Sequence, residues 1–206
     1  MNYQFLLFAM LCVIHICMRD MHREIPSRIT KVLLMPSLLW YYLSLQTETG
    51  ILPVLIIVAL ALHTAGDLFL LFPKKLVLFS IGGLSFFVGH IFYISYFFHH
   101  FTHPAALLVV ALLSIYPLVL AAKLVRKGPA PLLMFIYALA LVIEAIAAAG
   151  AGNWIALFGV IFFATSDSML GYNTVTEKFS DVSIMATYTF AEFLLVVGIL
   201  MAQGAV

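Results

Sequence analysis

The chain has 206 residues, of which 65% are hydrophobic and 9% charged, with a net charge of +1 and a mean hydropathy of +1.15. A water-soluble domain usually carries about 25% charged residues, so lipid is the expected solvent for most of this surface. No additional soluble domain is expected within these 206 residues, and the net charge of +1 argues against a nucleic-acid partner.

A helix needs roughly 20 apolar residues to cross the hydrocarbon core. Such runs fall at 3–18, 31–45, 51–71, 75–97, 105–122, 130–149, 153–171 and 183–202. They predict an all-α membrane bundle of eight transmembrane helices forming a single domain over residues 1–206. The first run lacks the basic flank and small-residue cleavage motif of a signal peptide, so it is read as a membrane helix. Its Cys12 and Cys17 read as small apolar side chains rather than a disulfide framework. Turn signals separate the runs, among them Thr47-Glu48-Thr49-Gly50, Phe72-Pro73-Lys74-Lys75, His103-Pro104, Lys127-Gly128-Pro129 and Gly150-Ala151-Gly152-Asn153.

Charge gives the topology. Arg19, Arg23, Arg28 and Lys31 precede the second run, and Lys74 and Lys75 precede the fourth. Lys123, Arg126 and Lys127 lie before the sixth, and Lys178 before the eighth. All ten basic residues thereby fall on one face, which the positive-inside rule makes cytoplasmic. Both termini are then non-cytoplasmic. A repeat of four plus four helices also shows: Pro36 to Tyr42 reads P-x-L-x-aromatic-x-Y, as does Pro131 to Tyr137.

Four acids fall inside the runs: Asp67, Glu144, Asp167 and Glu192. A carboxylate in the bilayer costs on the order of 2.5–3.5 kcal/mol, so such groups face the bundle interior and mark sites. No Lys or Arg is expected at their depth. Asp67 and Asp167 each stand four residues before the expected cytoplasmic end of a span, roughly 6 Å in, and a carboxyl pair sharing a pocket is expected there. Glu144 and Glu192 lie at other depths and read equally well as interhelical hydrogen-bond formers. His63 shares a helical face with Asp67, yet His63 and His90 also suit plain buried histidines. His99, His100 and His103 lack a complete zinc set. Lys31 either snorkels to the headgroups or holds a lipid phosphate. The Phe and Tyr residues read as packing and interface belt.

The residues Lys31-x4-Pro36-Ser37-Leu38, His63-Thr64-Ala65-Gly66-Asp67, Gly89-His90-x2-Tyr93 and Thr165-Ser166-Asp167-Ser168, in that order, resemble the YhhN-like lysoplasmalogenase family over nearly the whole chain. The resemblance implies hydrolysis of the vinyl ether bond of lysoplasmalogens, releasing a fatty aldehyde and glycerophosphoethanolamine or glycerophosphocholine. That chemistry suits the intramembrane acids, and Asp67 and Asp167 are expected to form its catalytic pair, in the manner of glycosidase carboxyl pairs. His90, Tyr93 and Ser166 would position water or the glycerol hydroxyl, and Lys31 would hold the phosphate. No metal or organic cofactor is implied. The partners are a lysophospholipid and the bilayer. A bacterial plasma membrane is the expected location, or the endoplasmic reticulum in a eukaryote.

Two rival readings fit the composition. Intramembrane carboxyls and a repeat also suit a proton-coupled transporter or lipid carrier. A metal-dependent hydrolase like the alkaline ceramidases needs more converging histidines than His63 and His90 supply.

Overall fold

The computed structural model describes residues 3–72, 75–104, 110–111, 131–176 and 179–206, the side chains of 131–133 and 174–176 apart. Apart from residues 110–111, the fifth expected span (105–122) lies outside these residues, as do Lys74, Lys123, Arg126, Lys127 and Lys178. Seven helices are described: α1 (Tyr3–Asp20), α2 (Glu24–Leu45), α3 (Leu52–Phe69), α4 (Leu76–His99), α5 (Pro131–Gly150), α6 (Trp154–Thr176) and α7 (Asp181–Ala202). Among the described residues there is no strand. By length and composition α1, α3, α4, α6 and α7 can each cross a membrane.

The chain divides into two compact units, residues 1–93 with 200–206, and residues 94–199. In the first, α1 packs on α2 and α2 on α3. The turn between α1 and α2 uses a positive φ of 54° at His22, and Arg23 N–H closes it onto the Met18 carbonyl at 2.8 Å. Helix α2 begins at Glu24, seven residues ahead of the apolar run that starts at Lys31. Hydropathy registers only the hydrocarbon-spanning part of a helix. The first two turns here are polar but helical, with Glu24 facing Arg28 at 3.6 Å, one turn on. Lys31 is therefore a helix-interior residue, not a helix start.

Helices α3 and α4 approach closely because glycine stands where they meet. A Cβ on Gly66 would sit 2.6 Å from the Phe86 ring and 3.2 Å from the Gly82 carbonyl. One on Gly89 would overlap the His63 ring. Small residues at a helix crossing let backbones come together and set the neighbouring side chains in place. The core of this unit is Leu34, Leu38, Tyr42, Ile56, Ala59 and Leu60, all fully buried. Residues 200–206 complete it. The Thr47 N–H donates to Gln203 Oε1 at 3.3 Å, and Gln203 Nε2 donates to Glu48 at 3.1 Å.

In the second unit α5 packs on α6, and the turn between them carries Gly152 at φ +71°, where a side chain would be strained. Asn153 caps α6. Its Oδ1 accepts from Ala156 N–H at 3.0 Å, and its Nδ2 donates to the Gly198 carbonyl at 2.8 Å. Gly159 lies so near α7 that a Cβ would stand 2.9 Å from the Ala191 carbonyl. The adjoining core is Ala156, Val160, Phe163, Ala191 and Leu195.

Candidate functional site

The first unit brings ionisable groups together from α1, α2, α3 and α4. Lys31 Nζ lies 3.5 Å from Asp67 Oδ1, with side chains 18% and 2% exposed. This corrects the expectation that no cation reaches the intramembrane acids. Because α2 starts two turns early, Lys31 stands inside the helix and its long stem delivers the ammonium to a carboxylate on α3. A phosphate at Lys31 would have to compete with that contact.

One turn before Asp67 on the same helix comes His63, fully buried. Its ring centroid lies 4.9 Å from Phe86, 4.9 Å from His90 and 5.6 Å from Tyr93. His90 and Tyr93, singled out in the sequence, thus meet His63 in one buried cluster facing α3. On the other flank, His15 of α1 is buried with Nδ1 2.9 Å from Thr30 Oγ1, the residue next to Lys31. The Thr30 hydroxyl is already within 3.0 Å of the Pro26 and Ser27 carbonyls as a donor. It has one hydrogen to give, so His15 Nδ1 donates to it.

The second unit holds Asp167. The Tyr137 hydroxyl of α5 donates to Asp167 Oδ2, and Tyr137 also lies within electrostatic reach of Glu144 and Glu192. Both glutamates are fully buried. Tyr137 thus touches Asp167 and feels the charge of two further acids, all three placed by the sequence at separate depths. The hydroxyls around Asp167 are engaged with backbone: Ser166 donates to the Ile184 carbonyl at 2.9 Å, holding α6 to α7. Thr165 and Ser168 donate one turn back, to Ile161 and Ala164.

The depth match needs restating. Asp67 stands two residues before the end of α3, and Asp167 nine before the end of α6. The equal spacing from cytoplasmic helix ends does not hold, since α6 continues through polar residues that hydropathy ends at 171. Counted from the other end, Asp67 is fifteen residues after Leu52 and Asp167 thirteen after Trp154. Each aspartate meets a side chain from the preceding helix, Lys31 on α2 or Tyr137 on α5. Sequence reasoning noted Tyr137 only as the last residue of the repeated P-x-L-x-aromatic-x-Y pattern, and that was the signal available.

Among the described residues, no three His, Cys, Asp or Glu side chains are gathered to hold a metal. His99 and His100 touch at 5.5 Å between centroids. His100 Nδ1 is instead 3.0 Å from the Tyr96 carbonyl, and His103 lies by Gly152.

Long apolar helices carrying buried acids, histidines and a lysine define a polytopic α-helical membrane protein with an ionisable interior. The chain belongs to the YhhN family, whose model matches residues 27–199. Comparison with curated proteins and with solved structures finds no match.

Proposed function

We propose that the chain is a membrane-embedded hydrolase that cleaves the vinyl ether bond of lysoplasmalogens, with Asp67 and Asp167 as its catalytic carboxyls. Family membership supports the reaction class. The observation that carries the residue assignment is the Lys31–Asp67 contact at 3.5 Å in a buried setting, alongside Asp167 held by Tyr137. A charged pair inside apolar helices is costly unless a function retains it.

A vinyl ether is cleaved in three steps. A general acid protonates the β-carbon, giving an oxocarbenium ion. Water adds to that cation and loses a proton, forming a hemiacetal. The hemiacetal collapses to a fatty aldehyde and the free glycerol hydroxyl of the glycerophospho-base. Asp67, facing the Lys31 ammonium, is assigned the carboxylate that stabilises the cation and takes the proton from water. Asp167 is assigned the proton donor, with the Tyr137 hydroxyl on Oδ2 steadying the carboxylate left behind. His90 and Tyr93 are assigned to water and the glycerol hydroxyl.

The test is aldehyde release from a purified lysoplasmalogen by detergent-solubilised protein, beside Asp67→Asn and Asp167→Asn at equal folded yield. Loss of a general acid or base lowers the rate by about 10²–10⁴-fold, and both variants are expected in that range. A folded wild type that releases no aldehyde from choline or ethanolamine lysoplasmalogens overturns the proposal.

A further inference from the structure

The first unit carries an open groove of about 330 Å³ lined by Arg28, Ile29, Val32, Leu33 and Leu71. That volume is at the small end of the range for ligand sites, about 300–1,000 Å³. Four of the five lining residues are apolar and the fifth is a cation. We propose that this groove seats one single-chain phospholipid, its phosphate on Arg28 and its alkyl chain along Ile29, Val32, Leu33 and Leu71.

Charge complementarity selects the occupant. The guanidinium matches phosphate in a two-point geometry that an ammonium lacks. Lys31 already faces Asp67, whereas the ion-pair partner of Arg28 among the described residues is Glu24 at 3.6 Å, with both side chains more than half exposed. Such exposed i,i+4 contacts are weak, and a phosphate can displace one. The apolar wall suits a chain rather than a soluble anion, since Ile29 and Leu33 are 58% and 45% exposed along the same face of α2.

The placement gives the seat its meaning, which rests on the hydrolase reading. Arg28 is one turn before Lys31 on α2, and Leu71 one turn after Asp67. Five bonds separate a glycerophospholipid's phosphorus from its first ether oxygen, roughly 6 Å when extended. Lys31 is about 4.5 Å along the helix from Arg28. Along the helix axis, phosphate on Arg28 therefore sets the ether level with the turn that carries Lys31.

The experiment measures binding of octadecyl-glycerophosphocholine, whose saturated ether cannot follow the vinyl ether route, to the protein in nanodiscs of neutral diacyl lipid. Octadecylglycerol (no phosphate) and glycerophosphocholine (no chain) are the comparison probes. The expected result is saturable binding about tenfold or more tighter than that of octadecylglycerol, with glycerophosphocholine far weaker than either. Arg28→Gln should erase the preference for phosphate and Arg28→Lys keep part of it. Ile29→Trp, which fills the groove from an exposed position, should weaken both alkyl probes. Equal binding of the two alkyl probes, an unchanged preference in Arg28→Gln, or tail-free binding as tight as the lipid's overturns the seat. Arg28-dependent binding in a protein that releases no aldehyde leaves the seat standing and removes the hydrolase reading. Aldehyde release with an unaltered KM in Arg28→Gln does the reverse.

Discussion

Lys31→Met isolates the electrostatics of the first unit. It deletes the ammonium 3.5 Å from Asp67 Oδ1 and leaves a carboxylate whose side chain is 2% exposed. Removing one partner of a buried ion pair costs about 3–5 kcal/mol. Lys31 keeps 18% side-chain exposure, which screens part of the attraction, so about 2–3 kcal/mol is expected. For a chain of this size about 1 kcal/mol shifts Tm by about 2–4 °C; the variant should melt roughly 5–10 °C lower. Asp67→Asn keeps the shape and leaves a lysine that can extend toward the headgroups, so its cost should be about 1 kcal/mol. The double variant has neither charge and should melt within about 3 °C of wild type, a coupling of roughly 2 kcal/mol. The assay is thermal unfolding of all four proteins in one detergent at one pH. A double variant that loses the sum of the two single losses would show that the contact carries no energy, and the account of α2 against α3 would be wrong.

Gly89→Ala drives a methyl into the His63 ring and should cost about 1–3 kcal/mol, whereas Gly83→Ala meets nothing within 4 Å and should be neutral or stabilising by up to about 1 kcal/mol; paired thermal melts separate them. Asn153→Ala removes the α6 cap and the bond to the Gly198 carbonyl and should cost about 1–2 kcal/mol, read by the same melts. Tyr137→Phe deletes the hydroxyl on Asp167 and should lower aldehyde kcat by about tenfold or more while KM stays within twofold; an unchanged kcat removes Tyr137 from the chemistry. Ser166→Ala loses the bond to the Ile184 carbonyl, so its effect should appear in stability, by about 1 kcal/mol, and hardly in kcat.

The helices were legible because each crossing imposes a long apolar run, and the described ends of α3, α4, α5 and α7 fall within two residues of those runs. The start of α2 and the end of α6 were not legible by hydropathy, since both continue through polar residues. That error hid the site's main contact: Lys31 read as a helix start could not be matched in depth with Asp67. The four acids were legible from their cost in lipid, but their partners depend on helix rotation, which composition does not encode. His63 illustrates the same limit. Its spacing from Asp67 was visible, while the contact with His90 and Tyr93 follows from Gly89 allowing α4 to come close.

The tie between residues 200–206 and the loop at Thr47 and Glu48 has a consequence for synthesis. The first unit is laid down by Tyr93, yet its remaining residues are 200–206, made only after Ile94–Ile199 have been synthesised. At about 5–20 residues per second, the earliest helices wait on the order of 5–20 s for that closing segment. During that interval the loop after α2 lacks the Gln203 contacts. Of the two units, the one begun first is thus the one closed last, and assembly factors or proteases would meet it in that state.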